Sequence, residues 1–195
     1  MTFWNEYFEG ISNSLGGRAG SFRKMFEYLD DIKSEKVFIV ETGCYREEDN
    51  YRGDGCSSLL FDNYVKYRGG DVISIDISPE ACKLASANTS DSVEVICGDS
   101  VEELGYLEGK VDLLYLDSFN ITDWGNDWES SSHHLKELFA AKNIIKPGTL
   151  IVVDDNLRSA SGNVLGKGRL ISELMDALDL KPFIDEYQIG WIWKD

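Results

Sequence analysis

The order in which apolar runs and helical spacings follow one another is the strongest constraint on this chain. Lys36–Glu41 (KVFIVE), Asp71–Ile77 (DVISIDI), Val93–Cys97 (VEVIC), Val111–Leu116 (VDLLYL) and the run opening at Thr149 (TLIVV) are apolar, of strand length and bounded by turn residues. That is the pattern of strands buried on both faces of a parallel sheet. Between them, Ser57–Tyr67 sets Leu59, Leu60, Tyr64 and Tyr67 at helical spacing, and Ser78 with Pro79 opens a second helix as N-cap and first helical residue. A short helix follows Asp99, and Ser131–Ile145 forms another that leads through Lys146-Pro147-Gly148 into the last run. The alternation predicts an α/β fold: a doubly wound, mainly parallel sheet with helices on both faces. Residues 1–35 read as a helical cap over a sheet edge or pocket, residues 36–195 as the α/β core, and Pro182–Asp195 as a hairpin-like pair of strands ending the sheet. With 195 residues and no repeat or linker, a single domain is expected.

Four of the five runs end in or beside an acid: Glu41, Asp76, Asp117 and Asp154. Ligands of doubly wound sheets bind beyond the carboxyl ends of the strands, so four acids on one edge mark a site. The turn after the first run, ETGCY, and the later GDGCSS let backbone approach a ligand closely and offer a helix N-terminus to an anion. Asp76 is placed to grip a ribose diol, and Asp99 to meet an adenine amino group. Asp117, Asp154 and Asp155 converge where neighbouring strands finish; unpaired, at least one would have its pKa raised, and a hard divalent cation would resolve the conflict. Pairing of the acids with Arg158, or capping of a following helix, are the alternatives.

The chain carries 19 basic and 35 acidic residues, net −16. Such a surface repels nucleic acid and anionic membranes and suits a cationic ligand or a metal. No apolar run reaches the ~18–20 residues of a membrane span, and the aromatic, acidic N-terminus lacks the form of a secretion signal, so a cytoplasmic protein is expected. Cys44, Cys56, Cys82 and Cys97 have no CxxC spacing and read as buried or semi-buried free thiols.

These residues resemble the class I S-adenosylmethionine-dependent methyltransferases, and more narrowly the catechol and macrocin O-methyltransferase groups. ETGCY looks like the first motif of that superfamily, ISID the second, ICGDS the third and LLYLDS the fourth, over about Val37 to Asn156. The resemblance implies a Rossmann-like methyltransferase fold. It implies Glu41, Gly43, Tyr45, Gly55 and Ser57 on the methionine side of the donor, and Asp76, Asp99 and Ser100 on its ribose and adenine. It further implies Asp117, Asp154 and Asp155 as ligands of Mg2+ or another divalent cation, with Asn156 an alternative or supporting partner. The acceptor would be a small molecule carrying a hydroxyl group, whose oxygen attacks the sulfonium methyl in line.

The sequence departs from the pattern twice. Tyr45–Arg52 (YREEDNYR) is inserted into the glycine turn, as a lid or a solvated loop, and Asn120 stands where catechol enzymes carry lysine. Candidate bases are His133, His134 and Lys167, the last between Gly166 and Gly168 in an expected mobile loop. Trp124 and Trp128 either face an acceptor or anchor their loop, while Trp191 and Trp193 read as core. The aromatic FWNEYF segment offers a surface for a homo-oligomer. Cleavage of the donor, hydroxylase-like chemistry on the same scaffold, and a non-catalytic nucleoside-binding module are the alternative functions.

Overall fold

The five apolar runs become β1 (Val37–Thr42), β2 (Gly70–Asp76), β3 (Val93–Cys97), β4 (Leu113–Leu116) and β5 (Leu150–Val153) in a computed structural model that describes residues 3–124 and 126–194. Next come a small antiparallel hairpin, β6 (Asn156–Arg158) with β7 (Val164–Gly166), and the expected C-terminal pair, β8 (Ile184–Asp185) with β9 (Ile189–Ile192). The main sheet has the order β3-β2-β1-β4-β5-β9-β8, parallel from β3 through β5 and antiparallel beyond. Its order reverses between β1 and β4, the switch point at which such sheets open a crevice.

Successive strand residues face opposite sides, and both sides are buried. Leu113, Tyr115, Leu150 and Val152 face one core; Leu114, Leu116, Ile151 and Val153 face the other. The first core is closed by α2 (Ala19–Asp31), α3 (Ser57–Arg68) and α4 (Pro79–Asn88), the second by α5 (Ser100–Tyr106), α6 (Trp128–Ala140) and α7 (Arg169–Ala177). Ser78 caps α4 through its hydroxyl, with Pro79 at the first helical position. Trp191 is buried in the second core and Trp193 packs on it, as their alternation predicts.

A π-helical turn (Trp4–Phe8), α1 (Glu9–Ile11) and a tight helical turn (Ser12–Arg18) precede α2. The N-terminal aromatics pack inside the chain: Phe3 meets Phe26 and Tyr64 edge-on at 4.9 and 5.2 Å, and Trp4 donates to Asp30. FWNEYF is therefore occupied within its own fold, which removes the argument for a subunit interface there. Cys44, Cys56 and Cys82 are buried free thiols, whereas Cys97 is exposed. Among the described residues no helix is long and apolar enough to cross a membrane.

Candidate active site

Beyond the ends of β2 and β3 lies a cavity of about 300 Å3. Ile77 and Phe119 give it apolar walls, Asp99 and Ser100 a polar rim, and His133 a ring that lies 5.3 Å from that of Phe119. Asp99 uses one oxygen to cap α5 at Val101 and Glu102. His133, expected as a base, belongs to this cavity: its Nε2 is 3.2 Å from the Ser100 hydroxyl and 3.4 Å from buried Glu137. Glu137 also accepts from Ser118. Burial opposes its ionisation, but His133, His134 and the serines hold it at about 2. His134 is fully buried with Nδ1 against the Ser130 carbonyl, and burial lowers it to about 4, so it is neutral at pH 7.

A narrow polar cleft adjoins this cavity, walled by Gly43, Tyr45, Ser57 and Asp117, with Asp76 shared between the two spaces. Asp76 accepts from the backbone N–H of Cys44 and of Ser78, which locks both turns around it. Gly43 has φ 81° and a Cβ there would lie 2.6 Å from the Asp117 carbonyl, so only glycine lets the end of β1 pass this close to β4. The insertion divides between its two expected roles. Tyr45 is buried and Arg46 reaches over the cleft, binding Asp54 at 2.7 Å and Asn120 at 3.0 Å, while Glu47–Asp49 are solvated.

Glu41 does not enter the wall. Its carboxylate is sealed beneath the cleft, where it accepts from Ser57 (2.7 Å) and Ser74 (2.6 Å) and so fixes the start of α3. Burial pushes its pKa from 4.5 up to about 7 against the serine hydrogen bonds. Folding therefore favours the protonated acid: the stabilisation is complete below pH ~4.5 and is lost as pH rises through ~7. Glu41→Gln should flatten this dependence and be more stable than wild type at pH 8 by about 3 kcal/mol, measured by urea unfolding at pH 5 and pH 8. An unchanged pH profile would show that Glu41 ionises normally.

The three strand-end aspartates do converge, through an unusual backbone turn. Adjacent residues of a strand face opposite ways, but Asp155 adopts φ 54°, and this left-handed residue turns both carboxylates toward α2 and β7. Cations of the chain meet them there. Arg18, 5% exposed, donates from Nε to Asp154 (2.7 Å) and from Nη2 to Asp155 (2.9 Å). Lys167, 1% exposed, binds Asp117 Oδ1 and donates to the Asp117 carbonyl (3.2 Å) and Asp155 Oδ2 (2.9 Å). Tyr115 and the Asp155 N–H complete Asp154, and Tyr187 completes Asp155. Burial opposes the Lys167 charge, but Asp117, Asp155 and Asp154 outweigh it and raise its pKa.

Two expectations change here. Lys167 is no mobile base. Gly166 pairs with Asn156, its N–H donates to Asp127, and a Cβ on it would strike the Asp155 carbonyl at 2.2 Å, so the position is tightly held and the ammonium stays charged. The carboxylates, as arranged, do not fit a divalent ion. Mg2+ needs ligand oxygens converging at ~2.0–2.1 Å with free lone pairs, whereas both oxygens of Asp154, both of Asp155 and one of Asp117 already accept from N–H or O–H groups. Among the described residues no set of three or more His, Cys, Asp or Glu is disposed to hold a metal. Asn156 instead pins the hairpin, accepting from Gly168 and donating to the Val153 and Asp154 carbonyls. Nor did sequence spacing single out Arg18, which reaches the cluster from 136 residues away. Trp128, the first residue of α6, lies under the Arg169 guanidinium at 4.1 Å and Trp124 flanks Gly166, yet both rings stay exposed and Trp128 also lines an open surface cavity with Phe119 and His133.

Residues 52–156 match a methyltransferase-domain family; no curated protein matches the sequence. Among solved structures, the chain is similar to CalS11, a TDP-rhamnose 3'-O-methyltransferase of calicheamicin biosynthesis, with a TM-score of 0.62 and 11% identity over 98% of this chain and 88% of that one. For the SAH-bound methyltransferase PaMTH1 of Podospora anserina the values are 0.56 and 19%, over 94% and 81%. For MycE, a methyltransferase of the mycinamycin pathway in complex with Mg and SAH, they are 0.58 and 16%, over 85% and 46%. At these identities the likeness is one of fold, and it agrees with the motif resemblance to class I S-adenosylmethionine-dependent methyltransferases. The family match covers more than half of the residues, and the chain belongs to the methyltransferase-domain family.

Proposed function

We propose that the chain transfers the methyl group of S-adenosylmethionine to a hydroxyl of a small molecule. The observation that carries this reading is the pair of adjoining spaces divided by Asp76. The apolar cavity suits an adenine beside Ile77 and Phe119, Asp76 suits the ribose, and a methionine tail would follow past Ser57 and the start of α3 once the cleft, about 10 Å3 as it stands, opens. Asp117 also lines the cleft, and on this reading it faces the sulfonium end of the donor. One of the similar structures is a TDP-rhamnose 3'-O-methyltransferase and another a methyltransferase of the mycinamycin pathway, which supports a small hydroxylated acceptor, and the charge of −16 disfavours nucleic acid.

In the reaction the acceptor oxygen attacks the methyl carbon, the S–CH3 bond breaks with its electron pair to sulfur, and the hydroxyl proton leaves the oxygen. Asp117 is the carboxylate of the three that walls the cleft, and we assign it that proton. Little beyond alignment is then required. Calorimetric titration of S-adenosylmethionine and SAH, followed by an acceptor screen, tests the reading. Wild type should bind both and consume donor only with acceptor, and Asp117→Asn should keep SAH affinity within about threefold while turnover falls at least ~100-fold. Consumption without acceptor would point to donor cleavage, and binding without turnover to a nucleoside-binding module.

A further inference from the structure

Three aspartates carry −3, and a divalent ion among them would leave −1. Arg18 and Lys167 leave the same −1 with groups of the chain itself. Both cations are almost wholly buried, each makes direct contact with two of the carboxylates, and both come from outside the apolar strand pattern: Arg18 from the turn before α2, Lys167 from the residue after β7. An ammonium in this position is not a flexible surface lysine that happens to fold inward. Its backbone is fixed on either side, by Gly166 against Asp155 and by Gly168 donating to Asn156, and its N–H also donates to the Asp155 carbonyl.

Arg18 adds a second connection. Its Nη1 donates to the carbonyls of Arg52 (3.2 Å) and Gly53 (3.4 Å), and its guanidinium stacks on Tyr187 at 4.7 Å. The cation that neutralises Asp154 and Asp155 therefore also holds the inserted turn, whose other residues wall the methionine cleft. The one guanidinium thus holds cluster and turn together through hydrogen bonds.

We propose that Arg18 and Lys167 are the permanent replacement for a divalent cation in this site: they occupy the carboxylates that would ligate it, and the chain binds its donor without taking up Mg2+ or a similar ion. Both are positioning residues, acting through Asp117, Asp154 and Asp155. The inference rests on the methyl-transfer reading for its place in the reaction, but the ion balance can be tested apart from it.

The test uses Mn2+ as probe, read by electron paramagnetic resonance of the free ion, on the full chain after exhaustive dialysis against EDTA. SAH is titrated calorimetrically into the same samples. Wild type should show no stoichiometric Mn2+ site up to about 1 mM, and SAH affinity should be the same within about twofold with EDTA or with Mg2+. Lys167→Ala removes the ammonium between Asp117 and Asp155, and should gain a Mn2+ site at least about tenfold tighter than any in wild type, with Mn2+ raising its melting temperature. One Mn2+ bound per wild-type chain at about 100 μM or tighter would overturn the proposal. So would a folded Lys167→Ala chain that takes up no Mn2+, since Lys167 would then not stand in the place of the ion. If Lys167→Ala fails to fold, the wild-type titration decides alone. Failure of wild type to bind SAH would refute the methyl-transfer reading and leave the Mn2+ result standing.

Discussion

Arg18→Met is expected to lower the unfolding free energy by about 3–5 kcal/mol, because it removes one partner of a buried ion cluster and leaves Asp154 and Asp155 under-compensated. For a chain of this size that corresponds to a fall of roughly 6–20 °C in melting temperature. Methionine replaces most of the apolar volume, so the loss reports charge and hydrogen bonds more than a cavity. The Arg18 pKa is driven up by Asp154 in spite of burial, so the charge cannot be relieved by deprotonation. The same change frees the carbonyls of Arg52 and Gly53, and SAH affinity should fall by about tenfold as the inserted turn loosens. Arg18→Lys keeps a charge but cannot fork to two carboxylates and two carbonyls at once, so it should recover only part of the stability. High salt should not rescue either variant, since buried pairs are poorly screened. Thermal unfolding with parallel SAH titration measures all three points; a loss under about 1 kcal/mol for Arg18→Met would mean that the cluster adds nothing net.

The parts of the fold written in local pattern were legible in the sequence. Continuous apolar runs such as LIVV of β5 suit burial between two layers, and Ser78-Pro79 favours a helix start, so the mainly parallel sheet and the helices between its strands followed, though not the order of the strands. The C-terminal pair was readable from the alternation of Trp191 and Trp193. The hairpin of β6 and β7 was not, because its six residues carry no hydrophobic period: Asn156 and the close approach of Gly166 to Asp155 hold it, and both are tertiary. In the site, Asp76, Asp99, Ser100 and Asp117 lie where strand ends place them. Glu41 was read as a wall residue because spacing gives the strand end but not the depth at which a side chain is sealed. Spacing leaves the carboxylate cluster in need of an external cation, because no spacing rule joins an N-terminal arginine to a strand end 136 residues later, and Lys167, close in sequence to Asp155, sits between glycines that read as a mobile loop. Charge conflict was visible in the sequence; its resolution was not.

Asp76→Ala should have the largest effect on donor binding of any single truncation in the two spaces. Asp76 ends β2 and lines both the cavity and the cleft, so a donor that spans the two spaces as proposed passes it. A carboxylate that accepts from a ribose diol contributes charge-assisted hydrogen bonds of about 1.5–3 kcal/mol each. The expected loss is therefore at least ~100-fold in SAH affinity, or about 2.7 kcal/mol. Truncation also releases the N–H groups of Cys44 and Ser78, but these lie at a partly open site where water can replace the carboxylate, so the melting temperature should fall by only a few degrees. Asp99→Ala is the contrasting case. Asp99 is exposed and caps α5, so its loss should cost about 1 kcal/mol of stability and less than about tenfold in SAH affinity. Calorimetry on the two variants separates the roles: a pattern in which Asp99 matters more than Asp76 would move the ribose away from β2, and affinity within about threefold of wild type for both would place the donor elsewhere in the fold.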